Sequence, residues 1–141
     1  MPTTNDPLVV INQLNLLGGF WQPLTAFFPG QAAAGTGKHA WAPVVPSNTE
    51  IVAVVGSVGV SPDGADLIVD VRVNGVSVFA TPDARLTIPA GESFASAIPD
   101  NKFVNPGDRI TVDVDQVGLA GDDLAITVAL SPLSGMLGGQ P

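Results

Sequence analysis

Cysteine is absent from this 141-residue chain, histidine occurs once, and lysine and arginine together number 5. Without thiols there can be no disulfide framework, thiolate metal site or cysteine nucleophile. With 13 acidic residues and a formal net charge of -8, the chain repels phosphate backbones and anionic lipid surfaces at long range, so neither nucleic acid nor a membrane is expected as a partner. Long uninterrupted apolar runs are also missing. No charge occurs from Pro7 to Gly37, but Asn12, Gln13, Asn15, Gln22, Pro23, Pro29 and Gly30 break that stretch well short of the about 20 apolar residues of a spanning helix. Because Met1 to Asp6 contains an acid and no Lys or Arg, no secretory leader is expected.

Two-residue alternation is what the chain has in abundance. Leu67, Val69, Val71 and Val73 share one face, opposite Ile68, Asp70, Arg72 and Asn74; Leu124, Ile126, Val128 and Leu130 oppose Ala125, Thr127 and Ala129. Half-buried antiparallel strands produce such a pattern, and two such sheets must cover each other. Strands are expected at 39–45, 50–60, 66–73, 76–80, 85–88, 92–97, 109–117 and 124–130. Pro- and Gly-bearing turns separate them, of which Asn74-Gly75 is the strongest, since a two-residue type I′ turn needs positive φ at both central positions. About eight short strands without a helical period imply an all-β fold, a β-sandwich of jelly-roll-like order. Ile51-Val52-Ala53-Val54-Val55 is apolar on both faces and is expected in a sheet centre or under a cover.

Residues 1–37 lack periodicity and, apart from Asp6, charge, and read as an extended apolar N-terminal arm, 38–131 as the sandwich, and 132–141 as a C-terminal tail without a fold of its own. The arm holds Leu8, Val10, Ile11, Leu14, Leu17, Phe20, Trp21, Phe27 and Phe28, which are the expected partner-binding residues. Such side chains are scarce in disordered tails, because each costs roughly 1.5–3 kcal/mol when left in water rather than buried. They pack either on their own sandwich or on another subunit; the Pro and Gly spacing suits an extended strap.

Candidate chemistry is sparse. A Ser-His-Asp site would have to use His39, with Ser47, Ser57 or Ser77 brought in by the fold, but no nucleophile elbow accompanies it. Asp113 and Asp115 share a strand face and Asp122-Asp123 follow a Gly-rich turn, which could supply calcium oxygens, yet the spacing is not that of an EF-hand. A solvated face, or pairing with Arg72 or Arg109 on adjacent strands, is the plainer account. Gly35-Thr36-Gly37-Lys38 lacks the upstream Gly and following hydroxyl of a phosphate loop. Trp41, Phe79, Phe94 and Phe103 could stack on a glycan or fill the core. No catalytic residue, cofactor or metal is therefore assigned.

The runs Leu67-Ile68-Val69-Asp70-Val71-Arg72-Val73-Asn74-Gly75-Val76-Ser77-Val78-Phe79, Leu86-Thr87-Ile88-Pro89-Ala90-Gly91-Glu92 and Val104-Asn105-Pro106-Gly107-Asp108 come in that order. They are followed by Ile110-Thr111-Val112-Asp113-Val114-Asp115-Gln116-Val117-Gly118 and Asp123-Leu124-Ala125-Ile126-Thr127-Val128. Together, over residues 65 to 130, they resemble a β-sandwich module of tailed-bacteriophage virion proteins. The resemblance implies a structural or adhesive virion part and brings no catalytic residue with it. On this reading the chain is a non-enzymatic capsid decoration (cement) protein, expected as a homotrimer, whose arm and tail bind the major capsid protein or other virion subunits. A minor tail or tail-tip protein, a carbohydrate-binding host-adhesion module using Trp41 or Phe103, and a hydrolase built on His39 are the alternatives.

Overall fold

The computed structural model describes residues 22–132, and Leu8, Val10, Ile11, Leu14, Leu17, Phe20 and Trp21 lie outside the described residues, as does 133–141. The described residues form β1 (Gln22–Gln31), β2 (Gly35–Trp41), β3 (Thr49–Ser57), β4 (Val60–Asp63), β5 (Leu67–Val73), β6 (Val76–Ser77), β7 (Leu86–Ile88), β8 (Phe94–Ala97), β9 (Phe103–Val104), β10 (Ile110–Gln116) and β11 (Leu119–Pro132). One turn of 3-10 helix, Pro82–Ala84, precedes β7.

Two antiparallel sheets face each other. Sheet A runs β1-β11-β3-β8, with β4 also on β11 and β9 also on β3. Sheet B runs β2-β10-β5-β6, with β7 also on β5. The break between β3 and β4 falls at Val58-Gly59, whose N–H groups bond to the carbonyls of Ser93 and Asp122, so the chain changes partners there without leaving the sheet. β11 is the hub of sheet A, paired with β1 on one side and with β3 and β4 on the other. The expected central position of 51–55 holds: β3 lies between β11 and the β8/β9 pair.

The alternation read from the sequence points one row of each strand inward. Leu67, Val69 and Val71 of β5 and Ile110, Val112 and Val114 of β10 are buried against Ile51 and Val54 of β3 and Leu124, Ile126, Val128 and Leu130 of β11. Each such aliphatic contributes about 1.5–3 kcal/mol by leaving water.

The boundary at residue 37 needs correction. Residues 22–37 belong to the sandwich, because β1 pairs with β11 from Gln22↔Leu130 to Gln31↔Asp122 and β2 pairs with β10. Ala26 is buried, and Leu24 and Phe28 pack against the core. The alternation of β1 is faint in the sequence because the outward positions, Pro23, Thr25 and Phe27, carry no charge to contrast with the inward ones. At the other end, Ser131 and Pro132 extend β11 and pair with Glu50 and Thr49, so the expected tail starts one strand residue too early.

Candidate functional site

Sheet B presents a polar outer face. Asp70 of β5 and Asp113 of β10 are direct cross-strand partners, and each is only 3% exposed. Like charges opposed across a ladder destabilise a sheet. Arg72 resolves this: its Nε lies 3.0 Å from Asp113 Oδ2 and 3.4 Å from Asp70 Oδ2. Neither approach has hydrogen-bond alignment, so the guanidinium acts there through charge compensation, while its Nη1 donates to the Gly75 carbonyl at 3.2 Å. The other carboxylate oxygens are also engaged. Ser77 Oγ donates to Asp70 Oδ1 at 2.6 Å, and the Gly37 N–H donates to Asp113 Oδ1 at 2.7 Å.

Beside this trio, Arg85 Nη1 sits 2.6 Å from Asp115 Oδ2 and its Nε donates to the Pro82 carbonyl. The two groups border an open cavity of about 350 Å³ with Phe79, Ala80 and Thr81. Both carboxylates on its wall are partnered, Asp70 by Ser77 and Arg72 and Asp115 by Arg85. Among the described residues no three His, Asp or Glu side chains converge as metal ligands.

His39, on edge strand β2, is held by rings. The Trp41 ring lies 4.8 Å away at 67°, and the Phe28 ring lies 6.5 Å away at 87°. Of the serines considered with it, Ser77 is bonded to Asp70, Ser57 lies in the other sheet and Ser47 in the turn before β3. The geometry brings no triad together. Gly35 to Lys38 form the first half of β2, a strand edge and not a phosphate loop.

Sheet A is unlike sheet B on its outer side. Phe27, Ala125, Ser57 and Phe94 are successive cross-strand partners from β1 through β11 and β3 to β8. The next row is Thr25, Thr127, Val55 and Ser96. Small side chains thus floor the middle of the face while two phenyl rings stand at its sides, 60% and 58% exposed. Among the described residues charge appears at the margins of this face, in the Glu50–Lys102 pair, at Asp122-Asp123 and at Asp63 of β4.

No family model matches the chain, and no curated protein matches it. Among solved structures, a chain described as the capsid of Ralstonia phage GP4 is similar. It is 17% identical, with 82% of this chain and 86% of that one covered and a TM-score of 0.48. A likeness of that degree carries no argument about function.

The expected site residues therefore separate. Phe27 is a trough wall on sheet A and Phe28 a core-packed ring against His39. Asp113 does pair with Arg72, while Asp115 pairs with Arg85 and Arg109 gives its backbone N–H to Asn74. Asp123 accepts from the Gly30 N–H. Phe79 is core and Trp41 packs against it, whereas Phe94 and Phe103 face outward. Sequence reasoning missed the uncharged face of sheet A. Its signal was present in the run Ala125, Thr127, Ala129, where the outward row of a strand contains no charged residue.

Proposed function

We propose that this chain is a non-enzymatic structural protein of a tailed-phage virion, a capsid decoration protein that associates with itself, as a trimer, and with the shell through its N-terminal leader. One observation carries the reading: residues 22–132 already build a buried core between the two sheets, with Ile51, Leu67, Leu86, Ile110, Ile126 and Leu130 shut off from solvent, yet the chain still holds Leu8, Val10, Ile11, Leu14, Leu17, Phe20 and Trp21 ahead of β1. Those residues gain most by covering surface outside that core, and a shell or neighbouring copy provides it. The sandwich order β1-β11-β3-β8 against β2-β10-β5-β6 supports a jelly-roll topology, and the sequence resemblance over 65–130 supports a virion location. Consumption of the sheet B carboxylates by arginine supports a role without catalysis.

The stabilising mechanism would be apolar burial across subunit joints, which adds interface area against internal pressure. Deleting residues 1–21 tests it, since this leaves β1 intact. The expected result is a folded sandwich, checked by circular dichroism and melting, that no longer binds capsids. Full decoration by the truncated chain would overturn the proposal. Copy number then separates head from tail: hundreds per particle for a shell component, tens or fewer for a tail tip.

A further inference from the structure

Resting on that reading, the receptor for the leader can be named. We infer that residues 8–21 of one copy lie in the trough on the outer face of sheet A of a neighbouring copy.

Shape comes first. The row Phe27, Ala125, Ser57, Phe94 spans four strands, so the two ring-bearing positions stand about 14 Å apart at the usual strand spacing. Between them Ala125, Thr127, Val55 and Ser57 offer methyls and hydroxyls but no long side chain. A floor of small residues between aromatic walls fits a segment whose own side chains are large, and residues 8–21 supply Leu, Val, Ile, Phe and Trp.

Charge is the second match. From Pro7 to Gly37 the chain has no charged residue, and the trough has none between its two ends. Contact therefore desolvates no ion, which removes the largest penalty of burial. Sheet B, with its Asp and Arg face, offers the same segment no such advantage.

Reach is the third. The 21 residues ahead of β1 span up to about 70 Å when extended, well beyond one strand of their own sheet. They join the body at Gln22, opposite Leu130, at the end of sheet A where Pro132 pairs with Thr49. Both chain ends thus leave the sandwich at one pole, from which an extended strap passes readily onto an adjacent copy. The edge of β1 is a poorer receptor, since Pro23 and Pro29 remove two of its donors.

A photo-cross-linking experiment on the full chain decides the matter. Leu14 is replaced by benzoyl-phenylalanine, and equal amounts of light and nitrogen-15-labelled protein are mixed, irradiated, digested and mapped. The expected products join residue 14 to the peptide carrying Ala125 and Thr127 or the one carrying Phe94, with mixed-isotope pairs present. In the same protein, Phe94→Glu should lower the mixed-isotope yield on the order of tenfold, the loss typical of a central aromatic contact. Val76→Glu, at an exposed position on the β5–β6 hairpin, should not. Same-isotope products only, products elsewhere, no product, or an unchanged yield in Phe94→Glu would each overturn the inference. If the trough fails this way while deletion of 1–21 still abolishes capsid binding, the proposed function survives without it; if the truncated chain decorates fully, the function itself falls.

Discussion

Asn74 shows how a motif residue that looks functional can be wholly structural. At φ 51°, with Gly75 at 84°, it makes the two-residue hairpin turn expected from the sequence. Its amide donates to Asp108 Oδ1 at 2.8 Å and its carbonyl oxygen accepts from the Arg109 N–H at 2.9 Å, so one side chain ties the β5–β6 hairpin to the β9–β10 loop. Asn74→Ala loses both bonds and keeps the left-handed backbone; a destabilisation of about 1–3 kcal/mol is expected by urea denaturation. Asp108 receives the Asn105 N–H and the Asn74 amide, which hold its carboxyl below the ordinary 3.8. A carboxyl lowered on folding contributes stability that is complete above its unfolded value and is lost as pH falls through the folded one. The melting temperature of wild type should thus exceed that of Asp108→Asn by a constant margin at neutral pH, and the margin should close below about pH 4. At Arg72 the stake is larger. Removing one partner of a buried pair costs about 3–5 kcal/mol, and since Arg72 is 42% exposed, Arg72→Leu should cost somewhat less, about 2–3 kcal/mol.

Among the elements, glycines mark where strands meet too closely for a side chain. A Cβ on Gly56 of β3 would stand 2.7 Å from Leu86 Cδ2 and 3.2 Å from Ile126 Cδ1, all movable side-chain ends. On Gly118, ahead of β11, it would strike the backbone carbonyls of Asp63 and Ala65, which cannot turn aside. Gly56→Ala should therefore cost about 1–3 kcal/mol and Gly118→Ala more, measured by denaturant midpoint. The terminal Gly of the Asp-Val-Asp-Gln-Val-Gly run is a packing requirement, as is Gln116, whose amide bonds the Asp66 carbonyl. The same elements show what the sequence could disclose. β5 and β10 were legible because Asp70, Arg72, Thr111 and Asp115 contrast with their inward neighbours. β1 was not, since both its rows are uncharged, and neither was the start of β11, where Ala120 and Asp123 adopt positive φ and break the alternation. The arginine pairing of Asp113 could be foreseen from strand adjacency. The trough could not, because Phe27 and Phe94 are distant in sequence and come to flank one face only through β11 and β3, which lie between them.

At the scale of the whole molecule, the sandwich has two unequal outer sides, and this sets how the proposed self-association should respond to salt. Sheet B displays the Asp70–Arg72–Asp113 and Arg85–Asp115 groups, while sheet A displays a trough without charge. The chain as a whole carries -8, so copies repel one another at long range. If ion pairs held neighbouring copies together, raising sodium chloride from low to high concentration would loosen them, because the screening length shrinks from about 30 Å at 0.01 M to about 3 Å at 1 M. Apolar contact through sheet A predicts the opposite sign. Screening removes the mutual repulsion and leaves the burial term untouched, so the self-association constant measured by sedimentation equilibrium should hold or rise with salt, and fall when Phe27 or Phe94 is replaced by Glu. Weakening of the wild-type complex as salt rises would move the interface to the charged sheet.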